Sequence, residues 1–178
     1  MKIYSTRHGQ TGWNLDNRIC GVSDIYLTYN GLEQAKNLAK EIQMFGDIDV
    51  IICSPLQRAI QTAQIVSERI GVPFVIDERL TEWDYGKYEG MDRHADGFAK
   101  NKTEFGVKMG KTGESLLELA HRVYGFLEEI INNYEQENVL LVSHGGVCRV
   151  IETYFRDMTN DEFLNFFMGN CEVRVYEA

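Results

Sequence analysis

The sequence lacks long apolar runs, paired cysteines and an excess of positive charge, and each absence argues against a class of function. No stretch of the 178 residues is apolar over the length needed to cross a bilayer, so we expect no membrane span. The first residues do not show the basic, apolar and small-residue succession of a signal peptide, which indicates a cytoplasmic protein. No CxxC or other metal-ligand spacing joins the four cysteines, which argues against a zinc site: they are Cys20, Cys53, Cys148 and Cys171.

Positive charge is scarce. Lysine and arginine number 18 against 27 aspartates and glutamates, giving a formal net charge of -9. This balance disfavours binding to a nucleic-acid backbone across a broad surface, so we expect no nucleic-acid partner. A small anionic substrate remains compatible, because the local field of a pocket decides what the pocket attracts. The length and a hydrophobic content of 44% are typical of one soluble domain, here residues 1–178.

Two β-prone runs are each followed closely by a histidine and then a glycine. Residues 2–5 lead into Arg7 and His8, and residues 139–142 lead through a serine into His144. The ends of strands in α/β sheets open onto the crevice where ligands bind. Arg7 and His8 alone would be interpreted as a solvated loop pair. The second histidine in the same setting favours a functional site.

Apolar periodicity and turn residues predict an alternation of strands and helices along the rest of the chain. Ser54 as N-cap, Pro55 at the first helical position and Gln57 three residues after the cap match the capping-box pattern, so a helix is predicted to start there. The alternation predicts a mostly parallel sheet with helices on both faces, a three-layer αβα sandwich. The helices are expected at 28–46, 54–71, 115–131, 147–156 and 162–167, and the later strands at 50–53, 74–76, 139–142 and 171–176.

One segment, at about 91–112, differs from its surroundings. It has several glycines, weak periodicity and five basic residues against three acidic ones in a chain that is acidic overall. Two interpretations carry equal weight here, a lid over an anionic ligand and a solvated loop with no role.

The predicted sheet lets the ends of its first, second and fourth strands converge on one crevice. Arg7, His8, Arg58 and His144 would then meet near the N-termini of two helices. Arginine forks and helix N-termini suit a tetrahedral, multiply charged anion, and phosphate fits best. A neutral imidazole is a nucleophile, so one histidine can attack phosphorus while the other, if protonated, donates to an equatorial oxygen. Glu82 is the candidate proton donor, since the apolar bulk of its aromatic neighbours would raise its pKa.

These motifs, taken together, resemble the histidine phosphatase superfamily in its phosphoglycerate-mutase-like branch. The matching segments are residues 7–21, 54–63, 80–90, 113–115 and 142–147, in that order. The resemblance implies a phosphoglycerate-mutase-like fold and a reaction without a metal. It assigns the nucleophile to His8, the phosphate clamp to Arg7, Arg58 and His144, the proton donor to Glu82, and further phosphate contacts to Asn14 and the Gly145 N–H. In another branch an aspartate follows the second histidine, whereas Gly145 stands here, which supports Glu82 as the acid.

Departures from the mutases favour hydrolysis. Mutases usually have threonine where this chain has Cys20, and they carry a longer insert and a C-terminal tail that helps to close the site. We therefore expect a cofactor-independent histidine (acid) phosphatase that acts on a small phosphorylated metabolite through a phosphohistidine. The alternatives are a phosphoglycerate mutase and a phosphate-binding protein without catalysis. The sequence leaves open whether the protein is a monomer or a homodimer.

Overall fold

Five strands form one sheet at the centre of the computed structural model, which describes residues 1–178. Four of them, β1 to β4, are parallel, and β5 runs antiparallel to β1 at one edge. The order across the sheet is β3-β2-β4-β1-β5. The predicted mostly parallel sheet is confirmed. The strands are β1 (Lys2–Arg7), β2 (Val50–Cys53), β3 (Phe74–Ile76), β4 (Val139–Ser143) and β5 (Val173–Glu177).

Helices cover both faces of this sheet. On one face α2 and α3 pack against alternate residues of β4, Leu140 and Val142. On the other face α5 and α6 pack against Val139 and Leu141. The middle layer is therefore buried on both sides, which explains the continuous apolar run of β4. None of the helices is long and apolar enough to cross a membrane. The helices are α1 (Gly12–Leu15), α2 (Tyr29–Phe45), α3 (Gln57–Ile70), α4 (Phe98–Asn101), α5 (Leu116–Asn133), α6 (Gly145–Phe155) and α7 (Asn160–Asn165).

The register of β1, β2 and β4 brings the C-terminal ends of these strands to the same level of the sheet. Arg7 lies opposite Ser143, so β1 and β4 end at the same level of the sheet. The N–H of His8 donates to the carbonyl of Ser143 at 3.0 Å, and the N–H of Ser54 donates to the carbonyl of Val142 at 3.1 Å. The residues that follow β1, β2 and β4 therefore leave one edge of the sheet side by side.

The helix predicted with Ser54 as its N-cap and Pro55 as its first residue starts two residues later. Helix α3 begins at Gln57, and its N-cap residue, Leu56, makes no side-chain capping bond. The hydroxyl of Ser54 accepts from the N–H of Leu56 at 3.3 Å and lies 2.7 Å from Nε2 of His144. The helix predicted from residue 115 is confirmed as α5, and its N-cap, Ser115, forms a capping box with Glu118.

Two other boundaries differ from the prediction. The loop after His8 contains the short helix α1, and Thr11 and Asn14 form a capping box at its N-terminus. The last strand was predicted from residue 171, but Cys171 has a φ of 60° and β5 begins at Val173. A strand requires extended φ values, so the left-handed residue ends the ladder there.

Candidate active site

His8 is the first residue after β1, and its side chain is buried with 3% exposure. Its Nδ1 lies 2.7 Å from the carbonyl oxygen of Gly9. A carbonyl can only accept, so Nδ1 carries the ring proton and Nε2 keeps its lone pair. The Nε–H of Arg58 donates to this Nε2 at 3.2 Å. The ring is therefore fixed with its unprotonated nitrogen turned toward the second histidine and the arginine.

His144 follows β4 in the same way and is fully buried. Its Nδ1 accepts from the same Arg58 Nε–H at 3.2 Å, which leaves the proton on Nε2 for Ser54 Oγ at 2.7 Å. The centroids of the two imidazoles are 5.1 Å apart and their planes are inclined by 57°. The two strand-end histidines thus share one donor between them.

Burial lowers the pKa of both His8 and His144 well below the usual value of 6.5, and the charge of Arg58 lowers both further. Both rings are consequently neutral at physiological pH. A neutral His8 suits the predicted attack on phosphorus. His144 is likewise neutral, and it has one N–H to donate, which Ser54 receives in this structure.

Arg58 lies in the first turn of α3 and is fully buried. Its Nη1 and Nη2 donate to the carbonyls of Ser23 and Gly21 at 2.7 and 2.6 Å, so only Nε is directed at the histidines. The carboxylate of Glu89 fixes the backbone that supplies those carbonyls. It accepts from the N–H groups of Gly21, Val22, Ser23 and Tyr85, and from the Ser23 hydroxyl.

Arg7, the last residue of β1, is 7% exposed and borders the cavity described below. Its Nη1 donates to the carbonyl of Met168 at 2.9 Å, whereas its buried Nε has no partner. Burial lowers the pKa of Arg7, and the neighbouring Arg93 lowers it further. A buried donor without an acceptor favours an anionic ligand. Arg7 Nε lies close to Gly145, since a Cβ built on that glycine would be 3.8 Å away.

Glu82 lies in the loop after β3 with 5% exposure. Its carboxylate accepts from the N–H groups of Gly146 at 3.0 Å, Val147 at 3.2 Å and Trp83 at 2.8 Å. The expected apolar surroundings are therefore replaced by three backbone donors, two of them from the N-terminus of α6. A Cβ on Gly146 would lie 2.5 Å from the carboxylate, so only glycine allows this approach.

The remaining predicted contacts lie on the same cavity. Asn14 uses its carbonyl oxygen to accept from Thr11 N–H at 3.1 Å, within the α1 capping box. Gly145, the first residue of α6, exposes its backbone to the cavity. The side-chain amide of Asn170 donates to the carbonyl of His8 at 2.8 Å and so fixes the backbone of His8 from the C-terminal segment.

The cavity has a volume of about 90 Å³. Of the predicted residues, Arg7, His8, Asn14, Glu82 and Gly145 line it, while Arg58 and His144 lie behind His8. The segment 91–112 supplies three wall residues, and α6 and the chain after α7 supply others that the sequence analysis did not identify. In full, the wall is formed by Arg7, His8, Asn14, Ile19, Cys20, Glu82, Tyr85, Arg93, Phe98, Lys102, Gly145, Gly146, Arg149, Phe166, Phe167 and Met168.

One of the missed residues had a signal in the sequence. Arg149 lies four residues after Gly145, so both fall on the same face of α6. The two other histidines, His94 and His121, are exposed and lie away from the cavity. No group of three or more histidine, cysteine, aspartate or glutamate side chains is placed to hold a metal ion.

A parallel sheet brings two neutral histidines, buried arginines and a helix N-terminus together beside one cavity, an arrangement suited to a multiply charged anion. The chain belongs to the histidine phosphatase superfamily, branch 1, whose family model matches residues 3–178. The predicted family is confirmed.

Relatives and solved structures extend this result. The chain is 30% identical to phosphoserine phosphatase 1 of Hydrogenobacter thermophilus, covering 98% of this chain and 85% of the relative. It is 37% identical to a protein of Enterobacter sp. named "Probable phosphoglycerate mutase GpmB", covering 82% and 70%. The solved structure of Bacillus stearothermophilus YhfR superposes with a TM-score of 0.88 at 30% identity, covering 99% and 90%. Phosphoserine phosphatase of Entamoeba histolytica, in complex with 3-phosphoglyceric acid, gives 0.86 at 28%, covering 98% and 89%.

Proposed function

We propose that the protein is a metal-independent phosphomonoesterase that hydrolyses a small phosphorylated metabolite through a phosphohistidine on His8. One observation carries this proposal: Nδ1 of His8 donates to the Gly9 carbonyl, which leaves an unprotonated Nε2 beside a cation-lined cavity. Membership in the family and the phosphatase names of several relatives support the same activity.

In the first step, Nε2 of His8 forms a bond to phosphorus as the bond from phosphorus to the ester oxygen breaks. The Nε–H of Arg58, shared by the two histidines in the free protein, turns to an equatorial oxygen. Arg7, His144, Asn14 and the Gly145 N–H bind the remaining oxygens and stabilise the developing charge. Glu82, in its protonated form, gives its proton to the leaving alkoxide.

In the second step, water replaces the alcohol. Glu82, now a carboxylate, removes a proton from the water as its oxygen bonds to phosphorus and the bond to Nε2 breaks. Inorganic phosphate leaves, Nε2 regains its lone pair and Glu82 is protonated again. The position of Glu82 against the N-terminus of α6, which begins at Gly145, favours one group in both roles, because the carboxyl lies on the same wall as the phosphate contacts.

We expect a cytoplasmic enzyme that binds neither nucleic acid nor membrane, in a single domain whose segment 91–112 acts as a lid. The contribution of Phe98 and Lys102 to the cavity wall supports a role for that segment.

Replacing His8 by alanine tests the nucleophile. Hydrolysis of p-nitrophenyl phosphate should be abolished, while the circular-dichroism spectrum stays that of the wild type. The exposed His94 provides the matched control, since His94→Ala should retain full activity. A phosphoryl group bound to the wild type but absent from His8→Ala, after brief mixing with substrate, supports the intermediate. Substantial turnover by His8→Ala would refute the assignment.

A mutase is the second candidate, because one group of relatives carries that name. The two activities differ in where the phosphoryl group goes. With 3-phosphoglycerate, a phosphatase releases inorganic phosphate, whereas a mutase forms 2-phosphoglycerate without net release. Measuring both products in one reaction separates the candidates.

A further inference from the structure

Glu114 and Arg122 form a forked ion pair that the proposed reaction does not use. The Nε–H of Arg122 donates to Oε1 of Glu114 at 2.7 Å, and its Nη2 donates to Oε2 at 2.9 Å. The two side chains are 22% and 17% exposed, and neither lines the catalytic cavity. Two parallel charge-assisted bonds fix the relative orientation of the groups that they join. The guanidinium of Arg122 is therefore held in one orientation.

The same guanidinium also holds the backbone of the loop that carries Glu82. Its Nη1 donates to the carbonyl of Arg79 at 2.6 Å, and its Nη2 donates to the carbonyl of Glu82 at 3.2 Å. Arg122 lies in α5, which packs on the sheet, so these bonds tie the loop after β3 to the core of the protein. One of the two points of attachment is the residue that carries the candidate acid.

The backbone of Glu114 adds bonds to the next two residues of this loop. Its carbonyl accepts from Nε1 of Trp83 at 2.8 Å, and its N–H donates to the carbonyl of Asp84 at 2.9 Å. Three consecutive loop residues, 82–84, are thus bonded to Glu114 or Arg122. None of these bonds uses the carboxyl of Glu82, so the pair fixes the backbone of Glu82 without occupying its reactive group.

The carboxyl of Glu82 is held separately, at the N-terminus of α6, where it accepts from the N–H groups of Gly146 and Val147. Backbone and carboxyl are therefore attached to two different helices. A cleft of about 390 Å³, whose wall includes Glu82, Glu114 and Arg122, adjoins the loop. This space allows the loop to move when the guanidinium is removed. A shift of about 1 Å in the reacting geometry can reduce the rate about hundredfold.

We propose that Glu114 and Arg122 are positioning residues for proton transfer by Glu82, and that the pair sets the distance from the Glu82 carboxyl to the ester oxygen of the substrate. The inference rests on the proposed phosphatase activity, in which Glu82 protonates the leaving alkoxide. Neither residue of the pair lines the cavity, so neither contacts the reacting atoms. A pair that only stabilised the fold would lower the Tm without changing how the rate depends on the leaving group.

Two aryl esters of similar shape separate positioning from stabilisation. p-Nitrophenolate leaves without a proton, whereas phenoxide is a much stronger base and gains from protonation as it leaves. kcat/KM on each ester reports phosphoryl transfer to His8, the step that releases the alcohol. We expect Arg122→Gln to lose at least about tenfold more kcat/KM on phenyl phosphate than on p-nitrophenyl phosphate, a part of the hundredfold or more that general acid catalysis supplies. Equal losses on both esters would overturn the proposal.

The same substitution in a Glu82→Gln background tests whether Arg122 acts through Glu82. This background has no carboxyl proton to give, so Arg122→Gln should there reduce kcat/KM on both esters by the same factor. A greater loss on phenyl phosphate in this background would show that Arg122 acts by another route and would overturn the proposal.

Arg79→Gln is the matched control. The guanidinium of Arg79 also pairs with a carboxylate of α5, that of Glu129 at 2.7 Å, but it donates to no atom of Glu82 or Glu114. Arg79→Gln should lower the Tm and leave the ratio of the two kcat/KM values as in the wild type. A changed ratio in this control would show that any loosening of the loop has the same effect, which contradicts a specific role of the pair.

Two further measurements keep the outcomes distinct. If Arg122→Gln does not fold, the double variant Glu114→Gln with Arg122→Gln makes the same comparison without leaving a carboxylate unpaired. Failure of the wild type on both esters would refute the phosphatase itself. An active wild type with equal losses on both esters in Glu82→Gln would refute Glu82 as the acid, and the positioning role with it. Unequal losses in Glu82→Gln with equal losses in Arg122→Gln would refute the positioning role alone.

Discussion

Replacing Glu89 by glutamine tests how the buried guanidinium of Arg58 is held in place. Glu89 does not line the cavity, and it reaches the site through the loop 21–23 and through the backbone of Tyr85. Its Oε2 accepts from Gly21, Ser23 N–H and the Ser23 hydroxyl, and its Oε1 accepts from Val22 and Tyr85. The loop in turn offers its carbonyls to both Nη atoms of Arg58. Glu89 is thus a positioning residue.

The size of the effect follows from these bonds. Glutamine keeps one oxygen, so at least the two bonds to Oε1 become contacts between N–H groups and the amide NH₂. A hydrogen bond to a charged acceptor contributes about 1.5–3 kcal/mol, and the lower value suits a half-buried group, so two lost bonds cost about 3 kcal/mol. In a chain of this length that loss lowers the Tm by about 6–12 °C. A displaced Arg58 should reduce kcat/KM on p-nitrophenyl phosphate by about tenfold to hundredfold.

The double variant with Arg58→Ala separates positioning from general destabilisation. If Glu89 acts through Arg58, Glu89→Gln causes no further loss of kcat/KM in the Arg58→Ala background, although it still lowers the Tm. Glu118→Gln is the control, because that carboxylate also accepts a backbone N–H and a serine hydroxyl but lies outside the cavity. Wild-type activity in folded Glu89→Gln, or an equal loss in both backgrounds, contradicts the reasoning.

Three further results are expected. Glu82→Gln should slow the hydrolysis of alkyl phosphates more than that of p-nitrophenyl phosphate, because only the poor leaving group needs the proton; equal losses would reassign the acid. His8 and His144 have lowered pKa values in the folded protein, so below pH 6.5 the unfolded chain binds more protons than the folded one. The free energy of unfolding is therefore highest above that pH and falls on acidification by up to about 2.7 kcal/mol per pH unit. Urea unfolding that gives the same free energy between about pH 7 and 5 would contradict this. Lys102 loses its charge as the pH rises through about 8 beside Arg93 and Arg149, so the KM for p-nitrophenyl phosphate should rise there in the wild type and stay level in Lys102→Arg.

The sequence predicts the strand-end histidines well, because their signal is local. Apolar runs of four or five residues identify β2 and β4 as buried parallel strands, and the residues that follow such strands lie at one edge. His8, Arg58 and His144 then meet because β1, β4 and β2 are neighbours in the sheet. Backbone topology alone brings these three together.

The hydrogen bonds inside the site were not predictable in the same way. Ser54 satisfies the capping rule locally, yet its hydroxyl faces His144, 90 residues away in the chain. Glu89 lies in a short acidic loop of a composition typical of protein surfaces. Its role in positioning Arg58 depends on the fold of the loop 21–23. Such contacts depend on the distances between residues that are far apart in the chain, and the hydrophobic periodicity of the sequence does not encode those distances.

The neutral histidines and the unpaired cations have one physical origin. A histidine nucleophile needs its lone pair, so the site must keep its imidazoles unprotonated, and burial beside Arg58 does so. The positive charge that a phosphate requires must then come from groups that stay charged when buried, and guanidinium does this better than imidazolium or ammonium. An acidic chain can therefore bind an anion with few basic residues, provided that arginines such as Arg7 and Arg149 are concentrated at a cavity where Glu82 is the only acidic side chain.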